Sequence, residues 1–229
     1  MKIFGIAAKW LFILSLPILL LTASLGWAAS SLWLYQYGFE KYNVSQTTGL
    51  AGSELDKTAR GLISYFNSDE EYISLTVVKD NRLFALFNQR EILHLKDVKG
   101  LIRLDYSLLA GTLAYVLAYA GFCLFWRRRR YRRLAWGLVG GGGITLALTG
   151  ALGLGAVFGF NELFWQFHVI SFSNEFWRLD PTKDYLIMLF PQGFFYDAAL
   201  FCAAITAALA IILGGVAGGY LVLTKRAGS

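Results

Sequence analysis

Long apolar runs separated by polar segments dominate the pattern along the chain. Four of these runs are long enough for the roughly 20 helical residues that a bilayer crossing requires. Apart from tyrosine and cysteine, none contains an ionisable side chain. The pattern predicts four transmembrane helices, at residues 10–35, 106–126, 134–160 and 198–223. Glycines and alanines in the last two runs are expected to let those helices pack closely in lipid.

The segment between the first two runs, residues 36–105, has the pattern of a small folded cap. Within 54–72, apolar residues recur at helical spacing, which predicts an amphipathic helix. Residues 72–88 are typical of two strands joined by a turn at "KDNR". The predicted fold class is therefore a mainly α membrane protein, with four transmembrane helices and a small extracytoplasmic α/β cap from its first outer loop.

A helix start is predicted where the cap leads into the second run. Asn88 followed by Glu91 resembles a helix cap with its reciprocal carboxylate. The helix is expected to continue into 106–126, either unbroken or with a break at Gly100.

The segment 161–197 is rich in aromatic residues, as is typical of a membrane interface. Near its end, Asp180 as cap and Pro181 at the first helical position predict a helix that stops before Pro191.

Charge is distributed unevenly between the polar segments. Segments 1–9, 127–133 and 224–229 contain ten of the 21 Lys and Arg residues and none of the 15 acids. All the acids lie in 36–105 and 161–197. Basic loops are usually cytoplasmic, so both termini and the basic loop are predicted inside and the two longer loops outside. This assigns the net charge of +6 to membrane orientation rather than to a nucleic-acid partner.

The first run also resembles a secretory signal, with small residues around 28–30. Because it is longer than an ordinary signal and continues through "SLWLY", we interpret 1–35 as an uncleaved cytoplasmic end and first span. Cys123 and Cys202 lie inside apolar runs and are expected to be small buried hydrophobes.

The chain has only two histidines, His94 and His168. Each is expected on the outer side, within one to three helical turns of a span boundary, which is the depth of a lipid ester bond. Imidazole is the usual general base in acyl transfer near neutral pH. Glu91 and Asp97 are each three positions from His94 on a helix, so either is a candidate to orient its ring. Alternatively, each histidine is an amphipathic interface residue without a catalytic role.

No G-x-S-x-G nucleophile elbow is present. A covalent acyl-enzyme is therefore not favoured, and direct attack by a nucleophile carried on the substrate fits better.

Two sequence elements resemble the lipoprotein intramolecular transacylase family of bacterial membrane proteins. The first is "HLKDV" (94–98), before the second span. The second is "FHVISFSNEFWRLDPTKDYLIMLFPQGFF" (167–195), which is long and specific. The number of spans, the topology and the length are also similar, so the resemblance covers essentially the whole chain.

The resemblance implies a substrate, a reaction and a location in the bacterial cytoplasmic membrane. The substrate is a lipoprotein whose N-terminal cysteine bears an S-diacylglyceryl group. The enzyme moves the sn-2 acyl chain to the cysteine α-amine and needs no cofactor. On this hypothesis His168 is the favoured base and His94 the donor, although these roles are exchangeable. Residues expected to shape the site are Glu91, Asp97, Asn174 (an oxyanion donor), Trp177, Asp180, Asp184 (a ligand for the ammonium) and Pro191.

Two other functions remain open from the sequence. A metal-dependent lipid hydrolase would use His94, His168, Asp97 and Asp184 as ligands, although no H-E-x-x-H pair fixes two of them on one helix. A non-catalytic scaffold would bind a partner through the outer cap.

Overall fold

The structure is a computed structural model that describes residues 2–126 and 131–226. Arg127–Arg130 of the predicted basic loop and residues 227–229 of the tail lie outside this range. Within it, four helices are long and apolar enough to cross a membrane. They are α1 (Lys2–Ser30), α5 (Gln89–Gly121), α6 (Tyr131–Ser171) and α8 (Gln192–Arg226). The predicted fold class is confirmed as a mainly α membrane protein with four long apolar helices and a small sheet between the first two, while the membrane boundaries and the side on which the cap lies stay predictions.

The helices differ from the predicted apolar runs in where they end and break. Ser31 is extended (φ −87°, ψ 98°), so α1 ends at Ser30 and a separate helix, α2 (Leu32–Lys41), follows. The break considered at Gly100 does not occur, because one exposed glycine costs a helix only about 1 kcal/mol. After Gly121, α5 continues as a π-helical turn, Phe122–Trp126. α6 runs on to Ser171 through irregular backbone at Gly159.

One compact unit contains the described parts of 1–26, 105–154 and 200–229. Its apolar helices make a few polar contacts: the hydroxyls of Ser24 on α1 and Thr206 on α8 are 2.9 Å apart. The predicted close packing of small residues is also found. A Cβ atom placed on Gly142 of α6 would lie 3.1 Å from the carbonyl oxygen of Ala210 on α8.

Gly142 allows a direct test of this packing. We expect Gly142→Leu to lower the free energy of unfolding by about 1–3 kcal/mol, because the side chain meets backbone that cannot move aside easily. Gly143→Leu is the matched control, since a Cβ at Gly143 meets nothing within 4 Å. Thermal unfolding in detergent measures both. Equal stability of the two variants would contradict the close approach of α6 and α8.

The second compact unit contains Trp27–Leu104 and Gly155–Ala199. Besides α2 it includes α3 (Val44–Thr48), α4 (Gly52–Phe66), a two-stranded antiparallel sheet and α7 (Tyr185–Leu189), together with the start of α5 and the end of α6. Leu55, Ala59, Leu62 and Phe66 of α4 are buried, which confirms the predicted amphipathic helix.

The predicted hairpin is also confirmed. Strand β1 (Thr76–Lys79) pairs with β2 (Arg82–Ala85), with Thr76 opposite Ala85. Both residues between the strands, Asp80 and Asn81, have positive φ angles of 52° and 59°. This is the requirement of the tight type I′ turn, which aspartate and asparagine tolerate well.

The helix predicted to begin at Asp180 and Pro181 begins later. α7 starts at Tyr185, and Asp184 is its extended N-cap residue (φ −91°, ψ 117°). Residues 180–184 instead form a turn in which the Asp184 N–H donates to the Asp180 carbonyl at 2.9 Å. The prediction of its start was therefore wrong, because the Asp184 carboxylate accepts from the Asp180 N–H and from Asn88, which holds 180–184 in this turn ahead of the helix. The stop before Pro191 is confirmed.

Candidate active site

His94 lies in the second turn of α5, where a reciprocal cap fixes the helix start. The Asn88 N–H donates to the Glu91 carboxylate at 2.7 Å, and the Glu91 N–H donates to the Asn88 side-chain oxygen at 3.2 Å. This confirms the predicted capping box. The His94 side chain is buried.

His168 lies in the last turn of α6, surrounded by aromatic rings. Phe164 meets its ring edge-on with centroids 4.4 Å apart, and the Trp177 ring lies at 5.0 Å. The Nδ1 atom is 2.7 Å from the carbonyl oxygen of Phe164. Because a carbonyl only accepts hydrogen bonds, Nδ1 carries the proton, and the lone pair of neutral His168 is on Nε2.

The two imidazoles come together although they are far apart in sequence. Their ring centroids are 6.1 Å apart and their planes are inclined by 31°. Phe172 contacts both rings, at 5.0 Å from His94 and 5.6 Å from His168. At this separation the two rings are close enough for one reacting group to contact both.

The surroundings of both rings favour neutral imidazole. Both lie outside the apolar runs of their helices. Burial lowers the pKa of His94 to about 4; proximity to His168 adds to this effect, and the negative charge of Asp97 opposes it. Burial also lowers the pKa of His168, against the hydrogen bond to Phe164. Each ring is therefore uncharged, and available as a base or a neutral donor, at pH 7.

Nδ1 of His94 is a buried polar atom without a hydrogen-bond partner among residues 2–126 and 131–226. Leaving such an atom unsatisfied costs about 1–3 kcal/mol. Buried polar atoms of this kind are uncommon in folded proteins and often mark functional positions.

Asp97 and Asn174 connect α5 to the loop after α6. The Asn174 side-chain NH₂ donates to Asp97 at 2.8 Å, and its oxygen accepts from the Phe176 N–H at 3.0 Å. Within the described residues, neither Asp97 nor Glu91 hydrogen-bonds the His94 ring. Asp97 acts on His94 through its charge, while it fixes Asn174 by contact.

Glu91 connects the start of α5 to α7. Its side chain is 1% exposed, and the oxygen not used by the cap accepts from the Leu186 N–H at 2.7 Å. Burial raises the pKa of this carboxyl, an effect that the two backbone N–H donors oppose.

Asp184 is likewise part of the frame around the histidines. One carboxylate oxygen accepts from the Asn88 amide at 2.9 Å and the other from the Asp180 N–H at 2.7 Å. Both oxygens of this buried side chain therefore already have donors. Pro191 directly precedes α8, and its carbonyl accepts from the Phe194 N–H at 2.8 Å.

Sequence reasoning missed several contacts near Trp177. The Arg178 guanidinium lies over the rings of Trp165 and Trp177, at 5.3 and 5.2 Å. Arg90 donates to the carbonyl oxygen of Glu175 at 2.7 Å. The adjacent Trp177 and Arg178 could have indicated a cation–π contact from the sequence. Nothing in the sequence indicates that Arg90 contacts Glu175.

The four candidate metal ligands do not form one donor set. Asp97 and Asp184 accept from Asn174 and Asn88, respectively. Across the described ranges, no group of three or more His, Cys, Asp or Glu residues is placed to hold a metal ion.

Comparison with known proteins is consistent with this architecture. The family model of the lipoprotein intramolecular transacylase Lit matches residues 10–195. The crystal structure of the membrane-integral transacylase Lit from Bacillus cereus is similar, with a TM-score of 0.82 and 20% identity over 99% of each chain. A variant of that enzyme with a histidine replaced by arginine aligns with a TM-score of 0.78 and 19% identity, over 100% of this chain and 96% of that one.

No match was found among curated proteins. The family match covers most of the chain. Because the family is one of transacylases, the interpretation as a non-catalytic scaffold is wrong. The protein is a multi-pass integral membrane acyltransferase that belongs to the lipoprotein intramolecular transacylase family.

Proposed function

We propose that the enzyme transfers the sn-2 acyl chain of an S-diacylglyceryl lipoprotein to the α-amine of its N-terminal cysteine. The product is an N-acyl, S-monoacylglyceryl (lyso) lipoprotein. The observation that carries the proposal is the 6.1 Å separation of the two buried imidazoles. Nucleophile and ester belong to one molecule, so the protein acts mainly by holding them in reach of each other.

In the proposed mechanism, Nε2 of His168 takes a proton from the amine as nitrogen attacks the ester carbonyl carbon. The C–N bond forms, and the carbonyl oxygen becomes an oxyanion that accepts a hydrogen bond from neutral His94. Asn174 uses one amide hydrogen for Asp97, so its second is available as another donor. The C–O bond then breaks, and the protonated His168 returns the proton to the glycerol oxygen. Neither water nor cofactor is consumed.

A crossover experiment tests the reaction. Two synthetic diacylglyceryl lipopeptides, one carrying deuterium in its sn-2 chain and the other carrying ¹³C in its peptide, are mixed with the purified enzyme. The proposal expects N-acylated products of unchanged mass with no exchange of labels. Products that have lost the sn-2 fatty acid would indicate a hydrolase instead. In that case, sensitivity to a strong chelator would support the metal-dependent alternative.

The lowered pKa values of the histidines predict the pH dependence. Since a lowered imidazole pKa keeps the base neutral as pH falls, the histidines should not limit the rate above pH 6.5. The substrate α-amine, with a pKa of about 7.7–8.0, should set the acid limb of kcat/KM. A pH–rate profile checks this. A second ionisation with a midpoint at or above 6.5 would be inconsistent with neutral, buried imidazoles.

The distribution of charge supports an orientation with both termini cytoplasmic and the histidines on the outer side of the bacterial membrane. In intact cells, a membrane-impermeant thiol reagent is expected to label Asp80→Cys in the hairpin turn. Lys225→Cys at the end of α8 should react only after permeabilisation. Both native cysteines are buried and give a low background. The reverse labelling pattern would show that the predicted orientation is wrong.

A further inference from the structure

An open groove of about 410 Å³ lies in the same compact unit as the histidines. One wall is formed by Gln89, Arg90 and Leu93 in the first turns of α5. The other is formed by Glu175 and Phe176, from the loop that follows α6. None of these five residues takes part in the chemical steps proposed above.

Both walls of the groove are formed by residues next in sequence to the surroundings of the histidine pair. Leu93 is the neighbour of His94 on one side. Phe176 is the neighbour of Trp177, whose ring lies 5.0 Å from that of His168. Consecutive Cα atoms are 3.8 Å apart, so one wall of the groove begins one residue from His94. The other wall begins one residue from Trp177, whose ring packs on His168.

The groove also has the mixed chemistry of a peptide site. Leu93 and Phe176 supply apolar surface, while Gln89, Arg90 and Glu175 supply an amide, a guanidinium and a carboxylate. An acyl chain has no partner for such groups, whereas a peptide backbone offers an N–H and a carbonyl at each residue.

The walls are held together before any ligand binds. Arg90 donates to the Glu175 carbonyl at 2.7 Å, and the Glu175 carboxylate pairs with Arg178 at 3.0 Å. Gln89 is exposed, and within the described residues its side-chain amide makes no hydrogen bond. That amide is available to a ligand.

We propose that this groove binds the peptide segment that immediately follows the lipid-bearing cysteine of the substrate. The proposal rests on the proposed function. There the attacking amine belongs to the same cysteine from which the peptide continues, so the peptide must leave the reaction centre through adjacent space. The groove supplies that space and accounts for the polar groups along it.

The test compares two substrates that share one diacylglyceryl group. One is the lipid-bearing cysteine amide alone, and the other carries three further residues. We expect the wild-type enzyme to prefer the longer substrate by about fivefold to tenfold in kcat/KM, as one or two additional hydrogen bonds would give. Gln89→Trp, which fills the groove, should bring this ratio close to one, and Gln89→Ala should lower it in part.

Arg82→Ala is the matched control, because Arg82 is another exposed polar residue of the same unit but lies on β2. It should keep the wild-type ratio. Thermal unfolding confirms that each variant is folded.

The outcomes separate the two proposals. If the wild-type enzyme converts both substrates equally well, or if Gln89→Trp keeps the wild-type ratio, the groove is not the peptide site and the proposed function stands. If Gln89→Trp instead changes the dependence on acyl-chain length, the groove binds lipid and the inference is wrong. If the wild-type enzyme converts neither substrate, the proposed function fails and this inference fails with it.

Discussion

Replacing His168 by alanine is expected to lower the rate of acyl transfer by about 10²–10⁴-fold, the usual contribution of a general base. The loss is expected because Nε2 of His168 is the proposed proton acceptor. Nδ1 is occupied by the Phe164 carbonyl at 2.7 Å, so Nε2 is the remaining nitrogen able to take the proton from the attacking amine. The measurement is single-turnover conversion of a diacylglyceryl lipopeptide, followed by tandem mass spectrometry.

Glutamine variants separate the two proposed roles. His94→Gln keeps a neutral donor and should retain more activity than His94→Ala. His168→Gln supplies no base and should be as inactive as His168→Ala. If the histidines act as one unit, the double alanine variant should be little worse than His168→Ala alone.

A control for the local helix is available at Gln166. This exposed side chain lies in the same part of α6 as His168, and its amide donates a hydrogen bond to the Glu162 carboxylate at 2.7 Å. Gln166→Ala should keep wild-type rates. Full activity in both alanine variants of the histidines would exclude the dyad, whatever the separation of the rings.

The elements with a local physical cause were predictable from the sequence. The Asn88–Glu91 cap satisfies helix N–H groups three residues apart, so a short pattern determines it. The same is true of the turn at Asp80 and Asn81, where two residues that tolerate positive φ lie between strands. The four membrane-length helices were predictable because each apolar run reaches the roughly 20 helical residues that a bilayer crossing requires.

The site itself depends on contacts that no local pattern encodes. The second oxygen of Glu91 accepts from Leu186, and the oxygens of Asp184 accept from Asn88 and Asp180. From the sequence, Asp184 was a free carboxylate for an ammonium and Glu91 a candidate partner of His94. Pairing across so many residues depends on tertiary packing, which periodicity and spacing do not specify. The same contacts explain why α7 starts at Tyr185 rather than at Pro181.

The second large effect is expected at Glu91, where structure rather than chemistry is at stake. Its buried carboxylate accepts from two backbone N–H groups, those of Asn88 and Leu186. Glu91→Ala leaves both donors without their acceptor, at about 1–3 kcal/mol each. We therefore expect the free energy of unfolding to fall by about 2–5 kcal/mol. Glu91→Gln keeps one acceptor oxygen and should recover part of this loss.

Glu71 provides the comparison that isolates burial from charge. Its side chain is 63% exposed and pairs with Lys96 on the surface, an interaction worth about 0–1 kcal/mol. Glu71→Ala removes the same charge with little effect on stability, so thermal unfolding of the two variants in detergent separates the causes. Similar melting temperatures would show that the link from α5 to α7 does not stabilise the unit. A much lower melting temperature for Glu91→Ala would show that this buried carboxylate stabilises the start of α5, the helix that carries His94.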